Sequence, residues 1–387
     1  MEETALFKQL YTDYNSFKNQ GISGRYIRQN DIQFLLDNLG EEFRLEKIGE
    51  SVLDKPIHSI QCGKGPIKIL AWSQMHGNES TTTKAIFDLL NYISKYKEEV
   101  LVKSLLENCS LCIIPMLNPD GAEAYTRVNA NKVDLNRDAQ DLSQPESRVL
   151  RREFEKFQPD FCLNLHDQRT IFSAGNNAEP AVLSFLTPSM DKDRQIFPSR
   201  IKSMQLIAKI AEDLSELLPG RIGRYDDGFN INCTGDTFQS TQTPTILFEA
   251  GHFPGDYLRE ETRKYVFLAL ISVLKAISEK SFENLNYNKY QEIPENEKLF
   301  NDVILRGAKI KNGVVDIAIQ YKEVFKDGEF LFLPVIEKIA PKISKFAHKE
   351  IFCENKKIEI NEENEPIENV IVNKIVLNDV ELPLKCE

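Results

Sequence analysis

Along most of the chain, short apolar runs alternate with longer stretches whose apolar positions recur every three to four residues. The first kind reads as strands and the second as helices. Thr4 to Lys18 and Asp31 to Leu39 have helical spacing, with Asn30 or Asp31 placed to cap the second. Glu42 to Glu50 and Ile57 to Gln61 alternate like the arms of a hairpin around Asp54-Lys55-Pro56. Ile67 to Trp72 then reads as a strand and Thr81 to Tyr96 as a helix. Cys109 to Leu117 is almost unbroken in apolar character, as expected of a strand buried on both faces. Ser143 to Phe157 is helical, and Asp160 to Leu165 is another buried strand. Val182 to Leu186, a helix from about Asp193 to Leu217, a strand Thr245 to Phe248 and a helix Tyr257 to Ile277 follow. This alternation predicts an α/β fold with a mixed, largely parallel sheet and helices on both faces.

The helical spacing stops near Ser281, and Asn284-Leu285-Asn286-Tyr287-Asn288 reads as a linker. Beyond it the pattern is of short strands: Val314 to Gln320, Glu329 to Leu333, Lys349 to Phe352, Lys357 to Ile360 and Val370 to Leu377. The expected division is a larger α/β domain over 1–283, with an extension of helices and a hairpin over 1–62. A small β-rich domain of sandwich type is expected over 290–387. The acidic stretch Glu359 to Glu368 reads as an exposed loop.

Composition narrows the function classes. Hydrophobic residues at 41% and charged ones at 28% describe a soluble globular chain with ample core material. A net charge of -11 argues against a nucleic-acid partner, which would demand a basic face. No basic segment followed by an apolar one opens the sequence, so no signal peptide is expected. The longest apolar run, Val266 to Leu274, is too short to cross a bilayer, so no membrane partner is expected. Seven scattered cysteines fit reduced thiols, and the expected location is the cytoplasm. Cys109 and Cys112 have Cys-x-x-Cys spacing, yet side chains three apart on a strand face opposite ways, so buried thiols are expected there. Oligomeric state is not legible.

The chemistry begins at His76-Gly77-Asn78-Glu79, which follows the Ile67 to Trp72 strand. A His and a Glu three apart in such a loop can converge on one metal ion. Imidazole nitrogen with carboxylate oxygen suits zinc, and a third protein ligand leaves one position open for water. His166 and Glu249 also follow predicted strands. Ligands of open α/β sheets gather at the carboxyl ends of strands, so the three positions point to one shared site.

Four further stretches join that motif in order: Asn118-Pro119-Asp120-Gly121, Arg127 to Arg137, Asn164-Leu165-His166 and Phe248-Glu249-Ala250-Gly251. Together they closely resemble the M14 zinc carboxypeptidase family over the stretch from about residue 40 to about residue 280. The resemblance implies a zinc metallocarboxypeptidase that hydrolyses the C-terminal amide bond of a peptide or a peptide-like substrate with a free carboxylate. It implies His76, Glu79 and His166 as ligands of one Zn2+, a set of two His and one Glu that suits a catalytic zinc. Asp134 would hydrogen-bond the first histidine and fix its tautomer. Glu249 would be the general base. Arg127 would stabilise the oxyanion. Asn136 and Arg137 would grip the terminal carboxylate, Arg137 by two parallel hydrogen bonds.

The chain departs from the family in places. Aligned on Gly235, the position of the family's usual active-site Tyr holds an Asn, and Tyr225 lies early. Asp236 is either a pocket residue favouring a basic side chain or a turn-forming Asp. Glu249 could instead pair with Arg169, which has no assigned role, and His252 could only support Glu249. Two alternatives stand beside the peptidase. One is a zinc deacylase of N-acyl amino acids, of the succinylglutamate desuccinylase and aspartoacylase type, which shares the His-Gly-Asn-Glu and Asp-Leu-Asn-Arg signatures. The other is a non-catalytic binding scaffold.

Overall fold

The computed structural model describes residues 2–383. Its strands are β1 (Arg44–Glu50), β2 (Pro56–Cys62), β3 (Ile67–Ser73), β4 (Cys109–Ile114), β5 (Phe161–Asp167), β6 (Ser173–Ala174), β7 (Leu183–Leu186), β8 (Ile222–Arg224) and β9 (Thr245–Ala250). After these come β10 (Asn296–Glu297), β11 (Phe300–Ile310), β12 (Gly313–Lys326), β13 (Glu329–Ala340), β14 (Phe346–Phe352), β15 (Ile358–Ile360), β16 (Ile375–Leu377) and β17 (Val380–Leu382). The helices are α1 (Glu2–Asp13), α2 (Gln29–Asp37), α3 (Thr81–Lys95), α4 (Val100–Asn108), α5 (Pro119–Ala124), α6 (Pro145–Phe157), α7 (Pro198–Leu214), α8 (Thr234–Ser240), α9 (Glu260–Glu279) and α10 (Lys289–Glu292).

Eight strands form one sheet in the order β1-β2-β4-β3-β5-β9-β7-β8. Its centre, from β4 through β3 and β5 to β9, is parallel, while β1, β2 and β7 join antiparallel. Period-two alternation assigns each strand's apolar residues to two cores. Ile69, Leu111, Leu163 and Ile246 face one core with residues of α3, α7 and α9, such as Ile86, Ile207 and Leu270. Leu70, Trp72 and Cys162 face the other, with Val149 and Leu150 of α6 and Phe238 of α8. The mixed sheet with helices on both faces is therefore the observed architecture. Cys109 and Cys112 fall into opposite cores, as the spacing predicted.

Several boundaries differ from the sequence reading. The second helix begins at Gln29, so neither Asn30 nor Asp31 caps it. Asp31 sits inside the first turn, where its carboxylate accepts the Arg28 backbone N–H at 2.8 Å. The β5 and β9 strands run on to include His166 and Glu249, because their ladder continues to the Asp167–Ala250 pair. The Asn284 to Asn288 stretch is a set of turns, fastened where Gln205 donates to the carbonyls of Glu283 and Leu285.

The C-terminal region is β-rich. A four-stranded sheet, β13-β12-β11-β14, and a three-stranded sheet, β15-β16-β17, share one core. Val303, Ile317 and Ile336 of the first meet Ile358, Ile360 and Ile375 of the second. Two contacts join this region to the α/β part: β10 and β6 pair as a separate two-stranded sheet, and the Phe300 N–H donates to the Ile171 carbonyl at 3.1 Å. Glu359 and Ile360 belong to β15, so the exposed acidic loop begins only after them.

Candidate metal centre and active site

His76 and Glu79 lie on the loop that leaves β3 and enters α3. That loop packs against the turn after β4. A Cβ at position 77 would stand 1.9 Å from the carbonyl carbon of Gly121, so only glycine permits the approach. Asn118 binds the two loops together, accepting from the Gly121 N–H at 2.8 Å and donating to the Met75 carbonyl at 3.1 Å. The His-Gly-Asn-Glu and Asn-Pro-Asp-Gly stretches are two sides of one packing contact. His166 and Glu249 arrive on neighbouring parallel strands as register partners.

These elements bring three donor side chains together. His76 Nδ1 lies 2.8 Å from Glu79 Oε1, His166 Nδ1 lies 2.8 Å from Glu79 Oε2, and the two Nδ1 atoms are 3.2 Å apart. All three side chains are buried. On its other side, His76 Nε2 lies 3.0 Å from Asp134 Oδ1. Donation of the Nε2 proton to that carboxylate leaves Nδ1 bare in the neutral ring. A bare imidazole nitrogen, a second imidazole and a carboxylate then face one another around a single point. Without a cation such a convergence of lone pairs is repulsive, and the set of two imidazoles and a carboxylate fits zinc.

Charges around the centre reinforce one another. Burial would lower the His76 imidazole, but the Glu79 and Asp134 carboxylates carry it above its ordinary value. Burial lowers His166. Although burial opposes it, the two histidines hold the Glu79 carboxyl far below its usual range. Asp134 is likewise held low against burial by His76 and Arg127. Glu249 goes the other way: burial, with the charges of Glu79 and Asp167, pushes its carboxyl well above the usual range against Arg127 and Arg259. Its Oε2 atom is shut off from solvent with no hydrogen-bond partner among the described residues, so the pairing with Arg169 does not form.

One cavity of about 750 Å³ is lined by His76, Glu79, His166, Glu249, Arg127, Asn136 and Arg137. Asp134 stands behind His76, within reach of it and of Arg127. Arg127 comes from the long loop after α5, its Nε donating to Asp134 Oδ2 at 3.0 Å and its Nη1 3.4 Å from Glu79 Oε1. The Asn136 side chain is fixed by the Thr234 N–H, which donates to Oδ1 at 3.0 Å at the start of α8. Arg137 donates to the Asn136 carbonyl at 2.7 Å and is otherwise exposed to the cavity. Tyr225 and Asp236 line the same space, and burial pushes the Asp236 carboxyl up to about 6. His252 does not line it. Its ring packs between Tyr257 and His348, at centroid distances of 4.8 and 4.3 Å.

The sequence reading missed a buried relay behind the donors. The Asp167 N–H donates to Glu79 Oε2 at 3.2 Å. The Asp167 carboxylate accepts from Thr81 N and from Arg25 Nη1, each at 3.0 Å. Arg25 in turn grips Glu323 of β12 through Nε at 3.2 Å and Nη2 at 3.0 Å. Tyr125 donates its hydroxyl to the same Glu323 carboxylate. Asp167 is adjacent to His166 and could have been suspected, but nothing in a linear pattern links Arg25 to Glu323.

A family model described as zinc carboxypeptidase matches residues 32–159, which hold His76, Glu79, Arg127, Asp134, Asn136 and Arg137. Over that stretch the chain is similar to the zinc carboxypeptidase family. Among relatives, carboxypeptidase SOL1 of Arabidopsis thaliana is 36% identical over 124 residues, covering 28% of this chain and 25% of its own. Carboxypeptidase M of Mus musculus is 25% identical over 204 residues, covering 45% of this chain and 46% of its own. The chain thus spans less than half the length of these two family members. Among solved structures, carboxypeptidase A from Helicoverpa armigera superposes with a TM-score of 0.51 at 17% identity, covering 72% of this chain and 81% of that one. A metallo-carboxypeptidase from Pseudomonas aeruginosa gives 0.51 at 18% identity, covering 65% and 69%. These likenesses establish the shared fold.

Proposed function

We propose that the protein is a zinc-dependent carboxypeptidase that removes the C-terminal residue from a peptide or peptide-like amide. The observation that carries this reading is the convergence of His76, Glu79 and His166 in the cavity that also holds Glu249, Arg127 and Arg137. His76, Glu79 and His166 would hold one Zn2+. When bound there, zinc supplies Lewis acidity that polarises a carbonyl and acidifies water. Glu249, which lines the cavity, takes a proton from the attacking water as the water oxygen bonds to the carbonyl carbon. It returns that proton to the departing amine nitrogen as the C–N bond breaks. The fixed positive charge of Arg127 stabilises the oxygen on which negative charge develops. Asn136 and the exposed fork of Arg137 receive the substrate's terminal carboxylate, which selects the end of a chain over its middle.

Turnover of dipeptides, longer peptides and N-acyl amino acids by zinc-loaded protein tests the reading. Release of C-terminal residues from peptides supports it, while turnover of N-acyl amino acids alone refutes it in favour of the deacylase. Glu249→Gln should keep its zinc and lose hydrolysis by about 10²–10⁴-fold. Near-normal turnover by that variant would overturn the assignment of the base.

A further inference from the structure

The cavity is not walled by the α/β sheet alone. Gln320, Lys322, Glu323 and Val324 of β12 and Phe332 of β13 line it opposite residues that follow β5. The C-terminal sheet is pinned there by polar bonds: Gln320 donates to Thr170 Oγ1 at 2.8 Å, and His348 Nε2 lies 2.8 Å from the Thr170 carbonyl. Lys322 follows Gln320 by one pleat repeat, roughly 7 Å along the same face of the strand. Arg169 immediately precedes Thr170. Two long cationic side chains from different parts of the fold therefore line one cavity, each next in the chain or one pleat from the pair that pins the sheets.

Their charges are uncommitted, unlike those of their neighbours. Of the cationic residues lining the cavity, Arg25 is taken by Asp167 and Glu323, and Arg127 by Asp134 and Glu79. Among the carboxylates lining the cavity, Asp167 and Glu323 are engaged by Arg25 and Asp226 by Arg194. Arg169 and Lys322 are exposed and make no ion pair among the described residues. Arg137, the other such cation, lies beside Asn136 and α8 and has the terminal carboxylate as its assigned guest. The remaining two have none.

We propose that Arg169 and Lys322 form a second anion subsite, which receives a carboxylate on the substrate upstream of the scissile bond. This rests on the carboxypeptidase reading above and narrows its substrates to short compounds with an anionic group at each end. The shared chemistry is a carboxylate on the acyl side. Two sources can offer it: an acidic side chain at the penultimate residue of a peptide, or the free end of a dicarboxylic acyl group on an amino acid. A cavity of about 750 Å³ fits small ligands of this kind, since pockets for such molecules span about 300–1,000 Å³.

The experiment uses full-length, zinc-loaded protein and paired substrates with one common C-terminal residue. One pair carries Glu or Gln at the penultimate position, and the other carries a succinyl or a neutral acyl group. We expect kcat/KM to favour the acidic member of at least one pair by tenfold or more, through KM and with a dependence on salt. The pair that responds identifies the source, provided peptides are cleaved; turnover of the acyl pair alone overturns the carboxypeptidase reading and the subsite with it. Lys322→Glu and Arg169→Glu, both surface substitutions, should each reduce that preference several-fold, and Lys322→Arg should retain it. Equal turnover of acidic and neutral members, or a preference untouched in both Glu variants, overturns the subsite while leaving the carboxypeptidase reading intact. Failure to cleave any member while the metal is bound overturns both.

Discussion

Glu323→Ala tests whether the C-terminal sheet governs the metal centre or merely covers it. The Arg25 side chain is 4% exposed and has two carboxylate partners, Asp167 and Glu323, the latter 24% exposed. Removing one partner of a buried pair costs about 3–5 kcal/mol, because the remaining charge loses its compensation. Here Arg25 keeps Asp167 and Glu323 is partly solvated, so the lower end, about 3 kcal/mol, applies. For a chain of this length the unfolding entropy is roughly 0.8 kcal/mol/K, which converts that loss to roughly 4 °C in Tm. The functional effect is separate. Arg25 shares the Asp167 carboxylate with Thr81, and the Asp167 N–H donates to Glu79 Oε2. Loosening Arg25 should loosen this support, and losing such outer partners weakens metal binding by about 10–100-fold. Zinc affinity measured against a competing chelator, with Tm and kcat/KM alongside, reads both effects. Glu323→Gln, which keeps an acceptor for Tyr125, should fall between. A variant with lowered Tm but zinc affinity and kcat/KM within twofold of the parent would refute the relay.

Three other outcomes are expected. Arg137→Ala should raise KM for substrates with a free terminal carboxylate and change amidated ones little; equal losses on both would remove Arg137 from the clamp. Gly77→Ala should lose metal binding and soluble yield together, because its Cβ would overlap backbone at Gly121 rather than a movable side chain; zinc titration and thermal melting of the variant check this. Acid should weaken the junction with the C-terminal sheet. Burial, against the bond to the Thr170 carbonyl and with the help of Arg259, lowers the His348 imidazole to about 4. The unfolded state, titrating near 6.5, therefore binds more protons between those two values. Stability present above pH 6.5 falls by about 3 kcal/mol as pH drops through 4. His348→Phe should flatten that part of the profile, and an unchanged pH dependence of Tm would show that another group causes it.

The parts of this fold that were legible share a physical reason. The β3, β4, β5 and β9 strands are buried on both faces, so each is an apolar run that no solvated segment imitates. His76, His166 and Glu249 stood out because they interrupt or end such runs. The Phe300–Ile310 strand was not legible, since it carries Asn301 and Asp302 in its interior. Both are buried and satisfied across the strands, Asp302 by the Tyr321 N–H at 2.7 Å and Asn301 by Gln320 at 3.3 Å. Local pattern penalises these residues, and only tertiary pairing pardons them. The short α8 helix, which positions Thr234 against Asn136, has too few turns to display a period. The walling of the cavity by β12 and β13 was invisible for another reason: no periodicity reports which face of a distant sheet meets a cleft.

The grip of Arg25 on Glu323 also sets a timetable. During synthesis His76, Glu79, Arg137, His166 and Glu249 all emerge before β12 does. What a chain at that stage lacks is the late carboxylate that steadies Arg25 and, through Asp167, Glu79. The full support behind Glu79 is therefore complete only once β12 has been synthesised and folded against Arg25.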